Sequence, residues 1–245
     1  MKIIKIMVSA LIFSFCSLSV AGKLILLTEN YPPFNMSIEE KNFARGDSID
    51  GISADIVKEL MSRADIDYTM TLRFPWSRVY GLAQSKPNYG LFSTAYLDKR
   101  KKDFKWVGPL VGNDYVLFSP AGKKFKINSF NDLKKYRIGS YKGSGVAQIL
   151  KEKGITVIEA YKDNGNPAKL AKGSIDLWAT GEVTGRYIAS IEGINNLQTV
   201  FKVKAIEYYL ALNLSTEDAL VTSLQNTLNQ MRKEGVLDEM KGRYQ

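Results

Sequence analysis

The stretch STAYLDKRKKDFKW, residues 93–106, contains side chains that bind anions. Ser93 and Thr94 place two hydroxyl groups at the end of an apolar run, and Arg100 follows seven residues after Ser93. A guanidinium donates two parallel hydrogen bonds to one carboxylate, so a hydroxyl group and Arg100 together would form a compact carboxylate site. The remaining cations of the stretch are expected to face water; they are Lys99, Lys101 and Lys102.

A glycine-rich turn, GSYKGSG at residues 139–145, is the second candidate anion site. It joins a strand-like segment to a helical one, and the free backbone N–H groups at a helix N-terminus bind small anions. Ser144 lies at this position. The turn lacks the lysine of a phosphate-binding loop and does not match the dinucleotide fingerprint, so nucleotide binding is not favoured. The alternative is a turn that only forms the corner between strand and helix.

Three side chains are further candidates because they follow the ends of strand-like segments. Tyr31 lies in a loop with two prolines, and Trp76 comes directly after Pro75. In open αβ sheets the ligands bind at the carboxyl ends of the strands, so both rings are candidate ligand walls. Packing within the protein is the alternative for each ring. Arg78 is either a ligand group or a surface charge.

The chain has no histidine, and its single cysteine is Cys16. Zinc, copper and haem sites therefore lack their usual ligands, and we predict no metal and no cofactor. A Ser-His-Asp or Cys-His catalytic arrangement is impossible. Catalysis by paired carboxylates remains open, since it needs only Asp or Glu.

The first 21 residues are predicted to be a secretory signal peptide. Two lysines precede an apolar run at residues 6–15, and Ser19 and Ala21 are the small residues that a signal peptidase recognises. A membrane anchor is less favoured, because the run is shorter than the roughly 20 residues that span a bilayer. Lipid attachment at Cys16 is disfavoured by the bulky Phe15 before it. We therefore expect export to the periplasm and a mature chain without disulfides.

The formal net charge is +9, but acidic residues lie among the basic ones throughout the chain. Only residues 99–102 form a basic run, and the aromatic residues fall at strand ends, not along one basic face. A solvated surface is therefore favoured over a nucleic-acid partner.

Strand-like and helical patterns alternate twice along the chain, which predicts an α/β protein with parallel strands covered by helices. The first series has strands at 23–28, 67–74 and 89–93 and helices at 52–61 and 79–86, and Pro75 ends the second strand. The second has strands at 136–140, 155–161 and 174–179 and helices at 129–135, 146–150 and 167–172. A capping box at 215–218 predicts a long helix that ends at Gly235. Extended stretches at 107–118 and 201–212 join the two units.

Seven segments occur in a characteristic order: TENYPPF, DGISADI, PWSR, STAYLDKRKKDFKWVGPL, DLKKYRIGSYKGSG, GSIDLWAT and MRKEGVLDEMKGRY. With them the whole mature chain resembles the periplasmic solute-binding proteins of amino-acid ABC transporters (bacterial extracellular solute-binding protein family 3), as a divergent branch. The resemblance implies a type II periplasmic binding fold of two αβ lobes joined by two hinge strands. Lobe 1 would comprise residues 22–112 plus 206–245, and lobe 2 residues 113–205.

The resemblance also implies roles for individual residues. Arg100 would bind the α-carboxylate of the ligand, with help from Ser93. Tyr31 and Trp76 would sandwich the ligand side chain. Ser144 would belong to the carboxylate-binding turn of the second lobe.

The chain departs from the family pattern at two positions. Ala95 stands where another serine or threonine is common. Gly181 stands where the family has an aspartate that binds the α-amino group, five residues beyond Asp176. Glu182 or Thr180 would then take over this contact, or the ligand has no α-amino group.

We therefore expect a monomeric periplasmic protein that captures a small carboxylate-bearing solute, an amino acid or a relative, by lobe closure and delivers it to an inner-membrane ABC transporter permease. The alternatives are a sensory module for a membrane receptor and a dehydratase-like enzyme that uses Glu182 or Glu29. The predicted ligand-binding residues are Tyr31, Trp76, Arg78, Ser93, Thr94, Arg100, Ser144, Thr180 and Glu182.

Overall fold

The computed structural model describes residues 23–39 and 41–244; the predicted signal peptide, residues 1–21, lies outside them. The strands are β1 (Leu24–Thr28), β2 (Met36–Ser37), β3 (Phe43–Arg45), β4 (Ile49–Asp50), β5 (Tyr68–Arg73), β6 (Tyr89–Ala95), β7 (Lys105–Pro120), β8 (Ile138–Tyr141), β9 (Val157–Ala160), β10 (Leu177–Gly181) and β11 (Leu197–Leu212). The helices are α1 (Ile52–Arg63), α2 (Trp76–Ser85), α3 (Gly145–Glu152), α4 (Asn166–Ala171), α5 (Glu182–Ile191), α6 (Asp218–Lys233) and α7 (Val236–Gly242).

One nine-stranded sheet runs through the molecule in the order β3-β5-β1-β6-β11-β7-β10-β8-β9. In its first half β1 pairs in parallel with β5 and β6, and in its second half β8 pairs in parallel with β10 and β9. Between the halves, β7 and β11 are antiparallel strands of 16 residues each that pair along their length. The predicted α/β fold of two lobes joined by two hinge strands is confirmed.

The helices form because their apolar residues recur on one face. In α1 the buried residues Ile52, Ile56 and Leu60 are four apart, and in α6 Leu224 and Leu228 have the same spacing. These faces join a buried cluster that extends along both halves of the sheet. Each such side chain stabilises the fold by roughly 1.5–3 kcal/mol on burial. The packed helices therefore hold the strand ends in fixed positions.

Helix α5 was not predicted. Its sequence EVTGRYIASI includes β-branched residues and Gly185, which weaken helix propensity. In the structure Gly185 is buried, and a Cβ atom there would lie 2.4 Å from the Phe118 ring. The glycine is thus required for close packing of α5 on β7, and tertiary contacts override the local signal.

Other differences concern helix starts. Helix α2 begins at Trp76, three residues before the predicted start, with Pro75 as its N-cap. The capping box predicted at 215–218 does not form: the N-cap of α6 is Glu217, without a side-chain cap hydrogen bond. The segment predicted as a helix at 129–135 is a 3₁₀ helix, Phe130–Lys135, and its capping box from Ser129 does form.

Among the helices in the described part of the chain, none is both long enough and apolar enough to cross a membrane. The same residues contain no group of three or more His, Cys, Asp or Glu that could hold a metal ion.

Candidate functional site

Two adjoining spaces lie between the halves of the molecule. The inner cavity has a volume of about 40 Å³ and is lined by Thr28, Glu29, Tyr31, Asn35, Trp76, Ser93, Ala95, Arg100, Tyr115, Ser140, Tyr141, Ser144, Gly145, Val146, Asp163, Ala179, Thr180 and Tyr208. The outer groove has a volume of about 290 Å³ and includes Glu29, Tyr31, Phe74, Tyr141, Tyr161, Lys162, Asp163, Tyr187 and Glu192. Both spaces lie at the carboxyl ends of strands, where αβ sheets bind ligands.

Arg100 carries the positive charge of the inner cavity. It lies in the 3₁₀ turn Asp98–Asp103 after β6, and it is 6% exposed. Its guanidinium lies 5.6 Å from the ring centres of both Trp76 and Tyr80, and its Nη2 donates to Gln148 Oε1 at 3.4 Å. Within residues 23–39 and 41–244, no carboxylate forms an ion pair with it. The charge is therefore held in place by rings and is open to an anionic ligand.

Ser93 faces the same cavity from the end of β6. It is 8% exposed and adopts φ 56°, a conformation uncommon for a residue with a side chain. Its Oγ has no hydrogen-bond partner in the described protein. The neighbouring Thr94 does not line the cavity, because its Oγ1 donates to the Leu91 carbonyl at 3.1 Å. Strained backbone and an unpaired hydroxyl at one position are features of ligand sites.

The N-terminus of α3 forms the opposite side of the cavity. Ser144 is its N-cap: the backbone N–H of Ala147 donates to Ser144 Oγ at 3.2 Å. Gly145 and Val146 follow and also line the cavity. The first N–H groups of a helix have no acceptor within it, and the helix dipole adds a partial positive charge there. This end of α3 therefore suits an anion.

Tyr31 lines the cavity but is held by other side chains. Its hydroxyl accepts a hydrogen bond from Tyr208 at 3.1 Å, and Tyr208 in turn accepts one from Asn113 Nδ2 at 3.1 Å. The rings of Tyr31 and Phe34 stack with centres 5.9 Å apart. Burial raises the pKa of the Tyr31 and Tyr208 hydroxyls, so both remain neutral.

Two acidic residues from opposite halves reach the cavity. Glu29, at the end of β1, accepts a 2.6 Å hydrogen bond from the Tyr141 hydroxyl, and burial raises the pKa of its carboxyl to about 8. Asp163 accepts hydrogen bonds from three neutral donors, and burial raises its pKa as well. Those donors are Asn166 and Trp178 at 2.8 Å and Thr180 at 2.7 Å.

Gly181 cannot be replaced by the aspartate of the family pattern without rearrangement. A Cβ atom there would lie 2.4 Å from Asn113 Nδ2 and 2.6 Å from the Tyr31 hydroxyl. The space that an acidic side chain would need is thus filled by the Tyr31–Tyr208–Asn113 network. Glu182, the proposed substitute, is instead bonded to Arg186 at 2.8 Å on its own helix.

The structure brings six of the nine predicted residues to the inner cavity: Tyr31, Trp76, Ser93, Arg100, Ser144 and Thr180. It does not bring Arg78, Thr94 and Glu182 there. Arg78 lies on the exposed face of α2, away from the cavity. The lysines of the opening stretch are exposed, as expected, although Lys99 pairs with Glu152 at 3.0 Å and Lys101 with Asp98 at 2.7 Å.

Sequence reasoning did not name several cavity residues. Asp163 follows β9, so the carboxyl-end rule that selected Tyr31 would have selected it too. Glu29 was named only as a catalytic acid. Tyr115 and Tyr208 lie inside the long antiparallel strands, where no local pattern distinguishes a cavity residue from a core residue.

A model of the family described as bacterial extracellular solute-binding proteins, family 3, matches residues 24–245. Three solved structures illustrate the likeness. A histidine kinase sensor domain with similarity to periplasmic binding proteins shares 16% identity, with 92% of this chain and 96% of that chain covered and a TM-score of 0.80. The arginine-, lysine-, histidine-binding protein ArtJ from Geobacillus stearothermophilus shares 18% identity, with 91% and 94% covered and a TM-score of 0.76. The GluR0 ligand-binding core from Nostoc punctiforme, in complex with L-glutamate, shares 16%, with 90% and 98% covered and a TM-score of 0.77. At these identities the structures show a shared fold.

Proposed function

Since this chain belongs to the bacterial extracellular solute-binding proteins of family 3, we propose that it captures a small carboxylate-bearing solute, an amino acid or a close relative, in the periplasm. The observation that carries the proposal is Arg100. It is a buried guanidinium without an ion-pair partner in the described residues, and it lines the same cavity as Ser93, whose Oγ is unpaired. A buried charge is costly unless it is paired, so the site favours a ligand that supplies an anion.

The anion would be bound from both sides. Arg100 and Ser93 belong to the first half of the molecule, whereas Ser144 and the first N–H groups of α3 belong to the second. A carboxylate has two oxygens and accepts about four hydrogen bonds. The guanidinium of Arg100 would donate from one side and the backbone N–H groups of α3 from the other. Trp76 and Tyr31 would border the rest of the ligand.

Capture would proceed by closure of the two lobes about β7 and β11. We assign residues 22–112 plus 206–245 to lobe 1 and residues 113–205 to lobe 2. Contacts between the lobes support a closed state: Tyr141 to Glu29 at 2.6 Å, Arg100 to Gln148 at 3.4 Å and Lys99 to Glu152 at 3.0 Å. Hinge closure around a ligand buries it without a reaction.

The closed monomer would then deliver its solute to an inner-membrane ABC transporter permease. An enzymatic role is not favoured, since the family consists of binding proteins and Glu182 lies outside the inner cavity. A sensory role is the second candidate, because the same fold occurs in a histidine kinase sensor domain. Reconstitution with the permease separates them: ligand-dependent stimulation of its ATPase supports delivery, and its absence favours sensing.

The proposal is tested by a thermal-shift screen against amino acids, small dicarboxylates and polyamines, followed by calorimetry. A ligand at about a hundred times its dissociation constant stabilises the protein by roughly 2.7 kcal/mol. Arg100→Ala should lower the affinity for a carboxylate ligand by about thirtyfold or more, because it removes one partner of a buried charge pair.

Arg78→Ala is the matched control, since it removes an exposed arginine of the same lobe and should leave affinity unchanged. Equal affinity of Arg100→Ala and the unmodified protein for the same carboxylate would contradict the proposal.

A further inference from the structure

Glu29 and Asp163 stand at the junction of the inner cavity and the outer groove. Both residues line both spaces, and they come from opposite halves of the molecule: Glu29 follows β1 and Asp163 follows β9. Burial is the larger cause of the raised pKa of Glu29, and a negative charge on Asp163 helps to raise it, because both carboxyl groups border the same two spaces. A ligand that extends from the cavity into the groove would lie beside both residues.

Neither carboxylate has a cationic partner within hydrogen-bonding distance in the described residues. Glu29 is bonded to the Tyr141 hydroxyl, and Asp163 to an amide, an indole and a hydroxyl group. Other acidic residues of the chain do pair with cations, such as Asp114 with Lys202 at 2.6 Å and Glu159 with Lys151 at 2.8 Å. Two enclosed carboxylates that face a cleft without a counter-ion are candidates for binding a cation.

Closure increases this need for a cation. When the lobes come together, the carboxyl groups of Glu29 and Asp163 enter one small cavity in which water no longer screens their negative charges. Burial raises the pKa of Glu29 to about 8, so its carboxyl keeps a proton until a cationic group beside it favours the ionised form. Arg100 offsets one of these charges but is also assigned to the ligand carboxylate. A ligand with one carboxylate and no cation would therefore leave the closed site with an excess of negative charge.

We propose that Glu29 and Asp163 together bind a cationic group of the ligand, so that the solute carries an ammonium or guanidinium group in addition to its carboxylate. This inference rests on the proposed function, because the carboxylate on Arg100 fixes which end of the ligand enters first. It also assigns the amino-group contact that neither Gly181 nor Glu182 can make. We call Glu29 and Asp163 the clamp, because the two carboxylates would hold one cationic group between the lobes.

The outer groove favours a solute with a net positive charge. Beyond Glu29 and Asp163 it is lined by a third acid, Glu192, and by the rings of Phe74, Tyr161 and Tyr187, against a single lysine, Lys162. Aromatic faces and carboxylates both attract cations. When both acids at the junction are ionised, they and Arg100 together carry one excess negative charge. A ligand with one carboxylate and two cationic groups has one excess positive charge and neutralises it. Basic amino acids belong to this chemical class.

Calorimetry with chemically matched ligands tests the clamp. L-lysine carries the carboxylate and both amines, ε-aminocaproate lacks the α-amine, L-norleucine lacks the side-chain amine, and cadaverine lacks the carboxylate. L-arginine, δ-guanidinovalerate and agmatine form the corresponding guanidinium set. We expect L-lysine or L-arginine to bind at least about tenfold more tightly than L-norleucine.

The variants Glu29→Gln and Asp163→Asn remove each charge while keeping the side-chain shape. Each should lower the affinity for the cationic amino acid by about thirtyfold or more, and lower that for L-norleucine by less, because the α-amine is the one cationic group that L-norleucine offers to the clamp. Glu239→Gln, which removes an exposed carboxylate of α7, is the matched control and should have no effect. Thermal unfolding and circular dichroism verify that each variant is folded. Because the two acids belong to different elements, one variant still tests the clamp if the other does not fold.

The outcomes separate the clamp from the carboxylate site. If L-norleucine binds as tightly as L-lysine and Glu29→Gln changes neither affinity, the clamp is wrong while carboxylate capture stands. If cadaverine or agmatine binds as tightly as the amino acid, the clamp stands and the carboxylate site on Arg100 is wrong. If no member of either set binds, the assignment of a cationic carboxylate is overturned.

Discussion

The two walls of the inner cavity present different kinds of groups. The first wall, contributed by Glu29, Trp76, Ser93 and Arg100, presents side chains with a full charge and an unpaired hydroxyl. The second wall, contributed by Ser144, Gly145 and Val146, presents the beginning of α3 and its backbone N–H groups. A guanidinium keeps its charge whichever residues surround it, whereas an array of N–H groups exists only where a helix begins.

This difference affects how each wall responds to mutation. Side chains of the first wall can be replaced one at a time, and their loss changes binding more than folding. The second wall, together with the neighbouring end of β10, depends on packing: a Cβ atom at Gly145 would lie 2.5 Å from the Tyr115 hydroxyl, and one at Gly181 would lie 2.6 Å from the Tyr31 hydroxyl. Changes there should therefore act through stability first.

The largest effect is expected from Gly181→Asp, which places the family's acidic residue on the second wall. The new side chain meets Asn113 and Tyr31 and buries a charge without a partner, so the free energy of unfolding should fall by about 3 kcal/mol. Urea denaturation measures the loss. Gly165→Asp is the control, since nothing lies within 4 Å of a Cβ atom there. An unchanged Gly181→Asp stability would show that this wall is not constrained by packing.

The second prediction concerns pH and the acid of the first wall. The pKa of Glu29 is raised from 4.5 to about 8 by burial, so the folded state holds a proton that the unfolded state has released. Its stabilising contribution is complete below pH 4.5 and is lost as pH rises toward about 8. The loss is at most about 1.4 kcal/mol per pH unit for one proton. The raised pKa of Asp163 acts in the same direction.

Denaturation at several pH values across this window checks the sign. Glu29→Gln should flatten the decrease, because the glutamine cannot titrate. The exposed acids with lowered pKa, such as Asp132 and Glu234, lose their contribution at lower pH and do not obscure the window. A Glu29→Gln variant with the same slope as the unmodified protein would contradict the assignment.

The third prediction compares one serine from each wall. Ser144→Ala removes the N-cap of α3 and should cost about 1 kcal/mol of unfolding free energy. Ser93→Ala removes a buried hydroxyl without a partner, so stability should stay the same or rise by up to about 1 kcal/mol. At φ 56° alanine and serine have the same backbone restriction, so the backbone strain at position 93 is equal in the unmodified protein and in Ser93→Ala.

Urea denaturation of the two serine variants in parallel provides the measurement. Ser93→Ala should still weaken binding of a carboxylate ligand, by about tenfold, since a hydrogen bond to a charged group is lost. Equal destabilisation by both substitutions would remove the distinction between the walls.

The smallest effect is expected at the rim of the cleft, where Lys99 pairs with Glu152 from the opposite wall's helix. Both side chains are substantially exposed, so Lys99→Ala should change the affinity or stability by less than about 1 kcal/mol, and less still at high salt. Lys102→Ala is the control with the same charge loss. A large effect of Lys99→Ala that persists at high salt would mean that closure depends on this pair.

The alternation of elements and the position of Arg100 and Ser93 at the inner cavity were predictable because they depend on local patterns. Apolar residues four apart in α1 and short apolar runs in β1 and β6 identify those elements wherever they pack. Arg100 and Ser93 were found because residues at the carboxyl end of one strand stay near one another in any αβ sheet. The glycine-rich turn at Ser144 predicted a helix start for the same local reason.

Long-range packing decided what the sequence could not reveal. Helix α5 exists despite weak propensity, because Gly185 packs against Phe118. Thr94 turns to a backbone carbonyl and Glu182 to Arg186, although each neighbours a cavity residue in sequence. Glu29 and Asp163 are 134 positions apart in the chain, and the folded molecule brings both to one cavity.

The sequence by itself determined which groups are available: one suitable arginine at a strand end, carboxylates and hydroxyls, no histidine and a single cysteine, Cys16. The tertiary structure decided which of these groups line a common cavity, because their positions depend on the strand order and on the packing that fills the space beside Gly181. Residue types set the chemistry, and burial between two lobes sets which charges are left without partners.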